Sequence, residues 1–156
     1  MSEAASTVVS KVIDAPREAV YRALLDQDAV TAWLPPDSMT GVVHAFDARE
    51  GGTFRISLVY PENDASARGK TSERTDTFHG RFVSLIPNEQ IVWATQFDSA
   101  DPSFAGEMIV SWTLAPADPG TRVTLTCENI PAGVRPQDNE AGCRSTLEKL
   151  ASFLDR

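Results

Sequence analysis

The feature that most restricts the fold is a single change of hydrophobic period late in the chain. Between residues 40 and 127 apolar side chains recur at every second position, as in Phe54, Ile56 and Leu58 or Met108, Val110, Trp112 and Leu114. Beyond Pro131 and Pro136 the spacing turns helical, with Cys143, Leu147, Leu150, Ala151 and Leu154 at i, i+4, i+7, i+8 and i+11. A period of two buries one face of a strand, and a period near 3.6 buries one stripe of a helix. Strands half-buried in this way need cover on one side. A helix of about 18 residues, nearly 27 Å long at about 1.5 Å per residue, is long enough to supply it.

Ahead of these strands, residues 7–13 are rich in β-branched types and read as a further strand. Asp14-Ala15-Pro16 then opens a helix, with Pro16 at the first helical position, where its missing N–H costs nothing. Val20, Ala23 and Leu24 recur at helical spacing. A second short helix is expected over residues 26–34, carrying Trp33 and stopped by Pro35-Pro36. Turns are marked by Arg49-Glu50-Gly51-Gly52, Pro87-Asn88, residues 98–105 and Asp118-Pro119-Gly120. Asp47 and Arg49 bracket the first of these as structural residues. Residues 61–74 are polar and lack a period, which reads as a long loop suited to act as a lid. One strand, two short helices, about six consecutive strands and a long helix make an α+β chain, expected to be one domain over residues 1–156. The expected architecture is a helix-grip fold: a curved antiparallel β-sheet wrapped around the C-terminal α-helix, with the two short helices after the first strand. Helices segregated in this way argue against a Rossmann fold.

Composition narrows the partners. The 14 Lys and Arg against 22 Asp and Glu leave a formal net charge of −8, with no basic run. Nucleic acid and anionic membranes are therefore poor partners, since both are held by a local excess of Lys and Arg. The N-terminus has no basic stretch followed by an apolar core, and no apolar run approaches about 18 residues, so a cytoplasmic protein is expected. The only cysteines, Cys127 and Cys143, have neither zinc-ribbon nor Cys-x-x-Cys spacing and read as two buried free thiols. His44 and His79 are the only histidines and lack metal-ligand spacing, so no metal and no cofactor are expected. No P-loop, Gly-x-Ser-x-Gly, His-Glu-x-x-His or dinucleotide fingerprint occurs, which favours a non-enzymatic role.

Six short motifs in order carry a resemblance: Ala15-Pro16, Ala32-Trp33-Leu34-Pro35-Pro36, Gly51-Gly52 with Phe54-Arg55, Gly80-Arg81-Phe82-Val83 with Pro87, Gly120-Thr121-Arg122-Val123-Thr124, and Leu147-Glu148-Lys149-Leu150. Together they span nearly the whole chain, which resembles the SRPBCC, or START-like, superfamily and within it the group named after activators of the heat-shock-protein ATPase. The chain departs from that group at Cys127 and near Cys143, where relatives often carry a histidine and an aromatic residue. The resemblance implies one scaffold that serves carriers, cyclases and chaperone regulators alike.

A strongly curved sheet gripping one helix leaves space that side chains fill incompletely. The aromatic and sulfur-bearing residues point to an apolar ligand cavity lined by Trp33, Phe54, Ile56, Phe78, Trp93, Phe97, Met108, Val110, Trp112, Leu147 and Leu150. His79 shares the parity of Arg81 and opposes Phe78, Gly80 and Phe82, so it faces out if the phenylalanines face in; turned inward it would be a general base. Arg55 and Arg81 read as a solvated sheet face, with carboxylate binding as the alternative. The leading function is binding of a small hydrophobic, lipid-like or aromatic molecule. The alternatives are an interaction domain regulating a chaperone ATPase, for which the sequence shows no clear surface, and a cyclase or hydrolase using a polar pocket residue. A homodimer is expected on the general frequency of small symmetric assemblies.

Overall fold

The alternating segments pair into one antiparallel sheet. The computed structural model describes residues 5–35, 39–59, 75–98 and 102–154, apart from the side chain of Asp76. These residues form β1 (Ala5–Ile13), α1 (Arg17–Leu24), α2 (Gln27–Trp33), β2 (Thr40–Phe46), β3 (Thr53–Val59), β4 (Thr75–Ile86), β5 (Gln90–Phe97), a 3-10 turn (Pro102–Phe104), β6 (Met108–Pro116), β7 (Thr121–Ile130) and α3 (Pro136–Leu154). The strand order is β1-β7-β6-β5-β4-β3-β2, antiparallel throughout. β2 to β7 are a meander, and β1 joins it beside β7, so the segment containing α1 and α2 carries the chain from one sheet edge to the other. The α+β helix-grip reading holds. Residues 61–74, read as a loop and lid, lie outside the described residues, as does Pro36.

Local chemistry sets the helix ends. Pro16 occupies the N-cap of α1 in an extended conformation, one position earlier than expected, because a proline without an N–H also fits just ahead of the first turn. Asp26 caps α2 with Oδ1, which accepts from the backbone N–H of Asp28 at 2.9 Å and Ala29 at 3.4 Å. The α3 helix is tied to the segment after α2 by Lys149, whose Nζ donates to the carbonyl oxygen of Pro35.

Curvature has identifiable sources. Pairing slips between Val43 and Ala45 and between Phe82 and Ser84, and such bulges bend and twist a sheet. At Gly80 a Cβ would stand 2.3 Å from the carbonyl oxygen of Ala94 and 2.7 Å from the ring of Phe54, so no side chain fits where that ring crosses the strand. One row on the concave face runs Phe82, Trp93, Val110, Cys127 and Thr7 across five strands. Trp33 meets Trp112 edge to face at 5.4 Å, and Phe54 lies 5.3 Å from Trp93 and 5.4 Å from Phe82. With Leu24, Val30, Ile91, Leu147 and Leu150, all but inaccessible to solvent, these rings form one contiguous core.

Candidate functional site: an apolar cavity beside a thiol pair

The core is not filled everywhere. A cavity of about 270 Å³ lies between the sheet and the first half of α3. Its floor is Trp93, Val110, Trp112, Leu125, Cys127 and Cys143, all buried. Its mouth is formed by the half-buried Leu34, Leu58, Phe78, Phe97, Met108 and Val134, with Gln96, Asp138, Asn139 and Thr146 supplying polar atoms around the rim. Two donors in this region lack partners: among the described residues, neither the Trp93 nor the Trp112 indole N–H meets an acceptor. The Thr95 hydroxyl is already used, donating to the carbonyl of His79 at 2.9 Å.

The structure divides the eleven residues expected to line the cavity. Phe78, Trp93, Phe97, Met108, Val110 and Trp112 stand in its wall. Trp33, Phe54, Ile56, Leu147 and Leu150 do not; they are packed solid behind or beyond it, at 2% exposure or less. The reason is volume. Large side chains near the middle of the sheet and in the second half of α3 fill the space they point into, whereas Asn139, Gly142, Cys143 and Thr146 on the first half are too small to do so. Those four share the helical face of Leu147 and Leu150 at offsets of three and four, and that continuation of the stripe toward the N-terminus is the signal that locates them. Leu58, Thr95, Gln96, Leu125, Cys127, Pro131, Val134 and Asp138 complete what the sequence reading left out, whereas Leu34 was expected at the cavity mouth and stands there. Pro131 and Val134 belong to the segment before α3, where no period marks them.

The two cysteines meet in the cavity floor. Cys127 Sγ on β7 lies 3.7 Å from Cys143 Sγ on α3, and both are free thiols. Cys143 Sγ is also 3.7 Å from Asn139 Oδ1, which accepts from the Thr7 hydroxyl at 2.5 Å. A part-buried polar chain thus runs from the edge strand β1 through α3 to β7. The hydrogen bond from Cys143, helped by Asn139 and Thr7, pulls the Cys127 thiol below the ordinary value against the opposing effect of burial. Cys143 moves the other way, because its proton is held by Cys127 and its charged form would be buried next to another thiolate.

A second polar group occupies the opposite face. Arg55 and His79 are register partners, and both reach Asp98: Arg55 Nη2 lies 2.6 Å from its Oδ2, and His79 Nδ1 bonds its Oδ1. Arg81 pairs with Glu107 at 2.5 Å nearby. His79 and Arg81 therefore point away from the cavity, as the alternation with Phe78, Gly80 and Phe82 requires. His44, raised by the bulge in β2, places Nε2 2.8 Å from the Ser57 hydroxyl, which meets the Thr77 hydroxyl at 2.8 Å.

A seven-stranded antiparallel sheet closed over a C-terminal helix, with an apolar cavity beside that helix, defines a helix-grip protein of the SRPBCC, or START-like, superfamily. Within that superfamily the chain belongs to the family described as activator of Hsp90 ATPase homolog 1-like protein, whose model matches residues 14–155. A solved structure of a Chromobacterium violaceum protein is similar at 31% identity, covering 97% of each chain with a TM-score of 0.86. The AHSA1-like protein from Aeromonas hydrophila shares the fold, at 19% identity over 97% of this chain and 92% of that one, with a TM-score of 0.73. So does a Mycobacterium smegmatis protein, at 16% identity over 96% and 90%, also with a TM-score of 0.73. No curated protein matches the chain. Among the described residues no helix is long and apolar enough to cross a membrane.

Proposed function

We propose that the protein binds a small apolar molecule. The observation that carries this reading is the cavity of about 270 Å³, open at one side and walled mainly by carbon and sulfur, beside a core of side chains all but closed to solvent. Ligand pockets usually run from about 300 to 1,000 Å³, so the size suits a guest of one or two rings or a short acyl chain. Burial of about 300 Å² of apolar surface contributes about 7 kcal/mol before association costs, which sets micromolar affinity as the ceiling.

The family description points to a chaperone ATPase as an alternative partner. Large partners need a contiguous surface, and among the described residues the large exposed apolar side chains are divided: Val8 and Val12 on one edge strand, Val42 on the other, Val83 and Ile86 on β4 between them. A cyclase or hydrolase acting through His79 has no support from the geometry, because that ring faces away from the cavity toward Asp98. Native mass spectrometry of freshly purified protein is the direct test. A copurified small molecule, or saturable quenching of tryptophan fluorescence by aromatic ketones or short fatty acids, is the expected result. Chemically diverse apolar compounds that all leave Trp93 and Trp112 unperturbed would end the proposal.

A further inference from the structure

We propose that Cys127 and Cys143 form a redox-active pair that reduces an apolar hydroperoxide entering the cavity and closes to a disulfide between β7 and α3. The proposal rests on the reading of the cavity as a binding site. It starts from placement. These are the only cysteines of the chain, they come from different elements 16 residues apart, and their sulfurs face each other at 3.7 Å. Both are part of the cavity floor, with exposures of 3% and 7%, so the cavity is the route by which a reagent reaches them. An apolar wall admits an organic hydroperoxide more readily than hydrogen peroxide, whose hydration it cannot replace.

The steps balance. Cys127 Sγ, as thiolate, attacks the terminal oxygen of R–O–O–H; an S–O bond forms, the O–O bond breaks, and the alkoxide takes up the proton that Cys127 released, leaving as R–OH. Cys143 Sγ then attacks the sulfur of the Cys127 sulfenic acid; the S–S bond forms, the S–O bond breaks, and hydroxide leaves with the Cys143 proton as water. Two thiols supply two electrons and one hydroperoxide accepts them. The sulfurs need only approach from 3.7 Å to about 2.05 Å. An external dithiol restores the pair by exchange. The opposite displacements of the two thiols give them different roles: Cys127, favoured as thiolate, attacks, and Cys143, which keeps its proton, resolves.

The test treats reduced protein with cumene hydroperoxide or with equimolar hydrogen peroxide, following intact mass, free thiols and cumyl alcohol. The expected result is loss of both thiols, a mass decrease of about 2 Da and one alcohol per disulfide, reversed by dithiothreitol. Cumene hydroperoxide should act at least roughly tenfold faster than hydrogen peroxide, the factor that burial of about 50–60 Å² of apolar surface confers. Cys127→Ser should abolish alcohol formation, and Cys143→Ser should stop at a dimedone-reactive sulfenic acid. Unchanged mass and thiols in the wild-type protein, or equal rates with the two peroxides, overturns the proposal without any variant having to fold. Cumyl alcohol, which has the shape but no O–O bond, is titrated in parallel against tryptophan fluorescence. Binding of this alcohol without oxidation by the hydroperoxide sinks the redox role alone, whereas absence of both sinks the binding reading with it.

Discussion

Trp33 and Trp112 touch edge to face, yet they do different work. The Trp33 ring is fully buried and its Nε1 donates to the carbonyl of Ala23 at 2.9 Å, which ties α2 to the end of α1. Trp112 and Trp93 line the cavity and leave their N–H groups unpaired among the described residues. Trp33→Phe removes a buried hydrogen bond and part of a packed ring, and should cost about 2–4 kcal/mol in urea unfolding; a loss below about 1 kcal/mol would contradict its assignment to the core. Val110, on the cavity floor between Trp93 and Cys127, has empty space ahead of it. Val110→Phe should grow into that space, change stability by less than about 1.5 kcal/mol because no neighbour is displaced, and abolish ligand-induced fluorescence changes. Sequence alone ranks these residues together, since an inward-facing aromatic looks the same whether its far side meets another ring or a void. That is why Trp33, Phe54 and Ile56 were expected in the wall and belong to the core instead.

The α3 helix shows the same distinction along one element. Its apolar stripe was legible from the spacing of Cys143, Leu147, Leu150, Ala151 and Leu154, and the helix runs from Pro136 to Leu154 as that spacing implies. What the spacing did not convey is that the stripe has two halves: Leu147 and Leu150 close the core, whereas Asn139, Gly142 and Cys143 border the cavity. Substitutions at the two ends should therefore have opposite signs. Leu147→Ala leaves a hole in close-packed surroundings and should cost about 2–5 kcal/mol. At Gly142 a Cβ meets nothing within 4 Å, so Gly142→Ala should stabilise by about 0.5–1 kcal/mol through helix propensity alone. Chemical denaturation of both variants checks the pair, and a destabilising alanine at 142 would mean that the first half of α3 packs more closely than the cavity implies. The strands were legible for a different reason. Turn residues such as Pro87-Asn88 and Asp118-Pro119-Gly120 fix where each ends, and Gly120, at φ +87°, is held where a Cβ would stand 2.1 Å from the carbonyl of Ile13.

At the scale of the whole molecule, fold and cavity have different origins in the sequence. The order of periods points to a meander and its cover helix, because each apolar face has only one partner to pack against; the edge-to-edge crossing by the segment with α1 and α2 appears only in the strand order. The cavity is the remainder after packing, a small difference between the volume the frame encloses and the volume its side chains occupy, and so it depends on several small residues at once rather than on any motif. That origin yields a test that involves no change to the fold. A molecule bound only by the folded state stabilises it by RT ln(1 + [L]/Kd), about 2.7 kcal/mol at a hundredfold excess over Kd. For a chain of this size about 1 kcal/mol raises the melting temperature by about 2–4 °C, so a true occupant should raise it by about 5–11 °C. Val110→Phe, with the cavity filled from within, should melt at the same temperature with or without that compound. A compound that raises both proteins equally binds somewhere other than the space between β6, β7 and α3.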